Sequence, residues 1–556
     1  MGKAVDQRRQ SEISIGQYLI NRLQDYGIQA VFGIPGDYVL SFYGMLEQSP
    51  LEVVGCTRED SAGFAADAYA RLNGLGALCI TYCVGGLSVC NSIAGAFAEK
   101  SPVIVISGAP GLGERRNNPL LHHKVREFRT QLEVFEKLCI AATELIDPLT
   151  AFAEIERVLD AADRFKRPVY IEIPRDMVHV VPPIAHGFRK PHVEATPGAL
   201  EEAIAEATAR LSAARRPIIL AGVEIHRFGL QDEVVKLAEQ AQIPMAATLL
   251  GKSVVRETHP LYVGVYEGAL GRAEVTQFVE DSDCVLLLGT FMTDINLGIY
   301  TANLDLTKCI YATSEQLQIS HHFYHSLSLA DFLKGLIDSR PQPQVRQVPD
   351  SLRPQPAELP AFDPQEPLRV SRMMPLLNQR LTKDNIVVAD IGDALFGATE
   401  LVVHERTDFL SPAYYTSMGF AVPAVLGACV AKPDQRVVGI CGDGAFQMTG
   451  NELSTIIRRG YAPLLIILDN HGYGTERYLH PGQWEYNEIH PWNYASLPAV
   501  YGGGRGYLVR TLGEFAEALA AAWEDTSCVQ IIQAQLAEGD ASTTLLRLAE
   551  RMSRSV

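Results

Sequence analysis

The chain has 556 residues and a formal net charge of −17, with no basic stretch to offset that charge locally. This argues against a nucleic-acid partner or an anionic membrane surface. Its 47% hydrophobic and 20% charged content excludes a disordered or fibrous chain, and its length asks for three or four domains rather than one core.

The N-terminal stretch MGKAVDQRRQSEIS has no apolar centre, so it predicts no secretory signal. Asp6 argues against N-myristoylation, and no apolar run reaches membrane-spanning length. Ten cysteines are scattered singly without a CxxC pair. They read as small buried hydrophobes of a cytoplasmic protein, Cys79, Cys83 and Cys90 included, rather than as metal ligands. Arg115-Arg116 and Arg458-Arg459 are isolated pairs that read as solvated.

Residues 11–185 alternate strand and helix patterns. Ile13–Tyr26 has helical spacing, with Ile15, Leu19 and Leu23 on one face. Ala30–Phe32 is a strand entering the turn at Gly33–Asp37, and Val53-Val54 leads to Glu59 and a small-residue helix over Ser61–Arg71. Leu78–Tyr82, Val103–Ser107 and Val169–Ile173 are further buried strands. Pro182–Pro197 reads as a linker.

Residues 198–335 alternate again, with helices at Leu200–Leu211 and Leu230–Gln240 and strands at Pro217–Ala221, Pro244–Ala247 and Cys284–Leu288. The first strand-to-helix turn reads AGVEIHRFG, without GxGxxG, so this block is scaffold rather than a nucleotide site. Residues 336–367 are proline-rich and read as an extended connector. Residues 368–540 form a third alternating block, with a tail from about 541 that is helical or frayed. The fold class is therefore α/β, with three doubly wound parallel sheets, and the shared pattern suggests a threefold repetition.

The most informative stretch is Gly442–Glu476, GDGAFQMTGNELSTIIRRGYAPLLIILDNHGYGTE. The apolar run Val437–Cys441 delivers Asp443 into a small-residue turn. A helix follows, with Leu453, Ile456 and Ile457 on its buried face. A second buried strand, Leu464–Leu468, delivers Asp469-Asn470. Parallel strands bring their C-terminal ends to one sheet edge, so Asp443 and Asn470 meet there despite the 26 residues between them. A carboxylate, an amide oxygen and a backbone carbonyl suit a magnesium ion whose octahedron is completed by phosphate and water. The adjacent glycines let backbone approach a diphosphate.

This stretch resembles the signature of thiamin-diphosphate enzymes, with Asp469-Asn470 in place of the usual Asn-Asn. The resemblance implies magnesium ligands at Asp443, Asn470 and the Gly472 carbonyl. It implies cofactor contacts at Gly392, Asp393, Gly442, Gly444, Ala445 and Tyr473 and, in the segment Tyr415–Gly419, at Thr416 and Met418. Met418 by itself reads equally as a core residue. From its own stretch Glu59 reads as a helix N-terminal carboxylate favoured by the helix dipole. The resemblance makes it the acid that activates the cofactor, so that a nucleophilic ylide forms and the cofactor later serves as electron sink.

FGIPGD (32–37), the pair His122-His123 and Glu476 occur together in the pyruvate, indolepyruvate and phenylpyruvate decarboxylases. By that resemblance Asp37, His122, His123 and Glu476 are the polar catalytic set beside Glu59. Adjacent histidines are poorly placed to ligate one ion, and no third ligand is evident nearby in sequence. The resemblance runs from about Ile13 to Gln535. It implies three domains: pyrimidine-binding (11–185), middle (198–335) and, after the 336–367 linker, diphosphate- and magnesium-binding (368–540). A homodimer is then the minimal unit and a homotetramer is expected. Two departures bear on substrate. Cys83–Ser88 reads CVGGLS where yeast-type pyruvate decarboxylases read GVGELS, and Thr475 replaces Ile before Glu476. Both point to an aromatic or branched 2-oxo acid, with pyruvate as the alternative. The rival readings are an acetolactate-type carboligase, a non-catalytic relative and a nicotinamide enzyme; for the last, the cluster Gly502–Gly506 reads as a loop.

Overall fold

A computed structural model describes residues 13–183, 188–190, 198–354, 361–405 and 409–552. The N-terminal residues 1–12 and much of the two expected linkers, at 184–187, 191–197 and 355–360, lie outside the described residues. Among the described residues the chain packs as two compact units. The first holds the N-terminal part up to residue 190 together with Val422–Pro433 and Thr449–Arg459; the second holds the rest.

The first unit is built on six parallel strands: β1 (Ala30–Gly33), β2 (Glu52–Gly55), β3 (Gly76–Ile80), β4 (Val103–Ala109), β5 (Ala141–Glu144) and β6 (Val169–Pro174), in the order β2-β1-β3-β4-β6-β5. Strands β3, β4 and β6 are buried along their whole length, as helix-covered faces demand. The helix Ile15–Asp25 starts at Ser14, whose hydroxyl accepts the amide of Gln17, and buries Ile15, Leu19 and Leu23 as the spacing predicts. The helix Glu59–Asn73 is buried from Ser61 to Arg71. Small residues make that possible, since a Cβ on Gly63 would stand 2.0 Å from Ser92 Oγ and one on Gly427 would stand 2.1 Å from the Ala65 carbonyl.

The second unit carries two sheets. The middle one comprises β7 (Pro217–Ala221), β8 (Met245–Thr248), β9 (Tyr262–Tyr266), β10 (Cys284–Leu288), β11 (Cys309–Ala312), β12 (Leu317–Ile319) and β13 (His322–Tyr324). The last comprises β14 (Asn385–Ala389), β15 (Phe409–Leu410), β16 (Arg436–Gly442), β17 (Leu464–Asp469), β18 (Arg505–Val509) and β19 (Gln530–Gln535). Its order, β15-β14-β16-β17-β19-β18, repeats that of the first sheet. The middle sheet does not: it runs β9-β8-β7-β10-β11 in parallel and then adds β12 and β13 antiparallel. The repetition read from the sequence is therefore twofold, with a differently wound sheet between.

Three further readings change. Arg115 is not solvated but bonds the Pro110 carbonyl and Glu144. Arg458 donates to the Gly55 carbonyl, and Arg459 to Glu52 and the Val53 carbonyl. The cluster Gly502–Gly506 is only partly loop, because β18 begins at Arg505; a Cβ on Gly506 would lie 1.8 Å from the Ala495 carbonyl. Val348 and Leu352 of the proline-rich connector are buried against the middle sheet, and Leu545 and Leu548 of the helix Thr543–Met552 enter the core of the last one. Among the described residues no helix is long and apolar enough to cross a membrane.

Candidate active site

Strands β16 and β17 end in register, with Gly442 paired to Leu468. The next residues on each strand, Asp443 and Asp469, are therefore neighbours at the carboxyl edge of the sheet. Asp443 is buried; its carboxylate accepts the amides of Gly444 at 2.7 Å and Gly472 at 3.2 Å. Burial pushes its pKa up to about 7, and the nearby Asp469 adds to the effect. Asp469 is buried too. It accepts Gln533 Nε2 at 2.7 Å and lies 3.2 Å from His471 Nδ1. Asp443, Asp469 and His471 each bring a ligating atom within 4.8 Å of the others.

The loop beyond β17 is held by Arg477, which donates to the carbonyls of Asn470 and His471, each at 3.0 Å. Gly472 must be glycine, since a Cβ there would meet the Asn487 carbonyl at 2.0 Å and the Arg477 guanidinium at 2.6 Å. His471 has φ +60° and Thr416 φ +58°, left-handed conformations that non-glycine residues adopt at a cost.

A cavity of about 340 Å³ opens over this edge. Gly392, Asp393, Thr416, Met418, Gly442, Asp443, Gly444, Ala445, Asn470, Gly472 and Tyr473 all line it, as do Thr475 and Glu476. Met418 is 37% exposed, which removes the core reading. Asp393 is turned to Ser542, whose amide and hydroxyl it accepts. Thr475 stands over Gly392, where a Cβ would come within 3.1 Å of its hydroxyl, and the Tyr473 ring covers Gly444 in the same way.

Sequence reasoning missed several residues here. Asp390 is buried and accepts the amides of Ile391, Gly419 and Ala421, so it fixes the backbone that follows Met418. Ile295 and Ile299 from the middle block and Leu548 from the C-terminal helix give the cavity an apolar side. Asp390 was legible as a carboxylate ending an apolar strand; the others carry no local signal.

The remaining predicted residues lie in the first unit. His122 Nε2 is 2.7 Å from Asp37 Oδ2, and the His122 and His123 rings are 4.8 Å apart, nearly perpendicular. Tyr38 stacks on His122 and donates to its carbonyl. Asp37 thus supplies the third group that the local sequence lacks, and the three side chains meet within 4.8 Å. Glu59 opens its helix, half-buried. Two residues before it, Thr57 gives its amide and its hydroxyl, at 2.7 Å, to the buried Glu452.

Comparison with known proteins accounts for this arrangement. Three family models match in succession: the N-terminal TPP-binding domain of thiamine pyrophosphate enzymes over residues 13–133, their central domain over 204–337 and their C-terminal TPP-binding domain over 390–532. The chain is 36% identical to the indole-3-pyruvate decarboxylase of Azospirillum brasilense, over 98% of this chain and 99% of that one. The chain belongs to the thiamin-diphosphate-dependent 2-oxo acid decarboxylases. An alpha-keto-acid decarboxylase of Mycolicibacterium paratuberculosis is 33% identical over 92% of this chain and 91% of its own, and pyruvate decarboxylase isozyme 2 of Saccharomyces cerevisiae 31% over 97% and 98%. This decarboxylase is a carboxy-lyase that uses thiamin diphosphate. Its cavity leaves room at the sheet edge: a Cβ on Gly442 would meet nothing within 4 Å, and the Asp443 carboxylate is buried beside it.

Proposed function

We propose that the decarboxylase binds magnesium and the cofactor's diphosphate through Asp443, Asn470 and the Gly472 carbonyl, and acts on aromatic or branched-chain 2-oxo acids. One observation carries the reading most: a cavity over β16 and β17 is lined by every cofactor residue predicted in this half of the chain. The oxygen set is hard and sparse, which suits magnesium completed by phosphate and water. When bound, thiamin diphosphate supplies a nucleophilic carbon and an electron sink.

The chain's own residues then divide the work. Glu59 would give the cofactor's pyrimidine ring a hydrogen bond that favours its reactive form. Thr416 would offer its carbonyl to the same ring, and Met418 would give the cofactor an apolar support. Asp37, His122, His123 and Glu476 handle protons at the substrate. The 2.7 Å contact between Asp37 Oδ2 and His122 Nε2 gives a proton a direct path between the two side chains. The apolar side formed by Ile295, Ile299 and Leu548 disfavours the charged carboxylate of the substrate and favours loss of carbon dioxide.

In this reading the chain divides into a pyrimidine-binding domain (11–185), a middle domain (198–335), a connector (336–367) and a diphosphate-binding domain (368–540). Glu59, Asp37 and the histidine pair of one subunit serve the cradle and Glu476 of another, so the working unit is a homodimer, assembled further into a tetramer. The ten cysteines, all without disulfides, agree with a cytoplasmic location.

Bulky substrates are favoured by the smaller Thr475 at the cavity wall and by the relative named for indole-3-pyruvate. The test is a panel of phenylpyruvate, indolepyruvate, 4-methyl-2-oxopentanoate and pyruvate, scored by aldehyde and carbon dioxide release. A higher kcat/KM for the first three is expected. A clear preference for pyruvate defeats the substrate assignment, and acetolactate without aldehyde defeats the decarboxylase reading in favour of a carboligase.

A further inference from the structure

We propose that Gln131 is a positioning residue for Glu59, holding the turn Cys83–Ser88 against the Glu59 carboxylate. The proposal rests on the reading of Glu59 as the cofactor-activating acid. The turn lies beside that acid: a Cβ built on Gly85 would stand 3.6 Å from Glu59 Oε1. The turn is also strained where it begins, since Cys83 has φ +51° and caps the short helix Val84–Ser88 without a side-chain bond.

What keeps it in place is the Gln131 amide. Its Oε1 accepts the Cys83 amide at 2.5 Å. Its Nε2 donates to Ser107 Oγ at 2.8 Å and to the Tyr170 hydroxyl. Tyr170 in turn donates to Glu172 Oε2 at 2.5 Å. Gln131, Ser107, Tyr170 and Glu172 are all fully buried, so no water substitutes for a lost partner. The amide has one orientation only, because the Cys83 N–H must face its oxygen.

The same side chain explains a departure in the sequence. Position 86 is Gly where yeast-type relatives carry Glu, and a Cβ there would stand 2.0 Å from Gln131 Oε1. Gln131 occupies the space a residue-86 side chain would need. Here the turn is anchored by a neutral amide on the helix Thr130–Leu138.

Q131M keeps the volume and removes both sets of hydrogen bonds. Two readouts are required, one of them without cofactor. In the apoprotein, amide hydrogen exchange over Cys83–Ser88 is expected to quicken about tenfold or more while distant strands are unchanged. In the loaded enzyme, kcat is expected to fall about tenfold or more, with KM and the thiamin diphosphate Kd within about twofold. G86A provides an independent check. Its methyl lands on the Gln131 amide, so it lowers kcat in the native background and adds no further loss to Q131A.

Unchanged exchange in Q131M overturns the proposal, as does native kcat. A joint loss of kcat, KM, cofactor affinity and melting temperature shows a merely structural amide and overturns it too. Additive losses in Q131A/G86A break the steric argument. Native turnover in E59Q, by contrast, sinks the reading of Glu59, and the exchange experiment still reports whether Gln131 holds the turn.

Discussion

Asp443 is kept from water and given two backbone amides, but among the described residues no cationic side chain pairs with it. A buried carboxylate in that state costs stability, which is why burial drives its pKa upward. D443N keeps the shape and an acceptor oxygen and removes the charge. The expected outcome is a separation of function from stability. The apoprotein should melt at or above the native temperature in differential scanning calorimetry. Retention of thiamin diphosphate at fixed magnesium should weaken by about tenfold or more, since the proposed metal ligand is lost. Glu59 makes the opposite case. It stands half-buried at a helix N-terminus, and its proposed value lies in proton chemistry. E59Q is expected to lower kcat by on the order of 10²–10⁴-fold in a carbon dioxide release assay, the usual range for a removed acid–base group, with the fold intact.

At the scale of elements, β4 and β6 carry side chains that do work far from their own edges. Glu172 on β6 is fully buried, and desolvation pushes its pKa from an ordinary 4.5 up to about 8. Tyr170 donates to it, Glu144 adds repulsion, and Arg115 stands 3.9 Å away. Because the folded pKa is raised, the folded protein holds a proton that the unfolded chain releases between about pH 4.5 and 8. The contribution is complete below that window and is lost as pH rises through it. E172Q is neutral throughout, so its stability should fall less from pH 5 to 8 than the native one, by on the order of a few kcal/mol of unfolding free energy, read from melting curves at each pH. Parallel melting curves across that range would reverse the assignment of a buried, protonated Glu172.

These side chains also mark where reading the sequence stops. Asp443, Asn470 and the strands that deliver them were legible because strand, turn and spacing lie in one stretch of chain. The helix Glu59–Asn73 was legible from its small residues. Gln131 was not, since nothing in TQLEV announces that its amide reaches a turn 48 positions earlier. Asp469 read only as a departure from Asn-Asn until Gln533 and His471 were found against it. The antiparallel pair β12–β13 was missed because strands of three residues are too short for periodicity to separate from loop. Sheet order escaped for a general reason: alternation of strand and helix is the same for both windings, and only the crossovers distinguish the middle sheet.

For the whole molecule, the proposed division of labour is between subunits: Glu59 belongs to the pyrimidine side, Glu476 to the cradle side. Each catalytic centre then draws on two chains, and two dead variants can repair one another. In a dimer of one E59Q chain and one E476Q chain, one centre collects both lesions and the other collects neither. Random pairing makes about half of all dimers mixed, so co-expressed variants should recover about a quarter of native turnover, against almost none for either alone. The measurement is aldehyde formation by the co-purified pair, with E59Q/E476Q in one chain mixed with native chain as the control. That arrangement leaves each centre of a mixed dimer with one lesion, so turnover there should follow the native dimers only. Recovery absent from the first mixture would mean that each chain completes its own centre, and the shared-site reading would fall even if the cofactor chemistry stood.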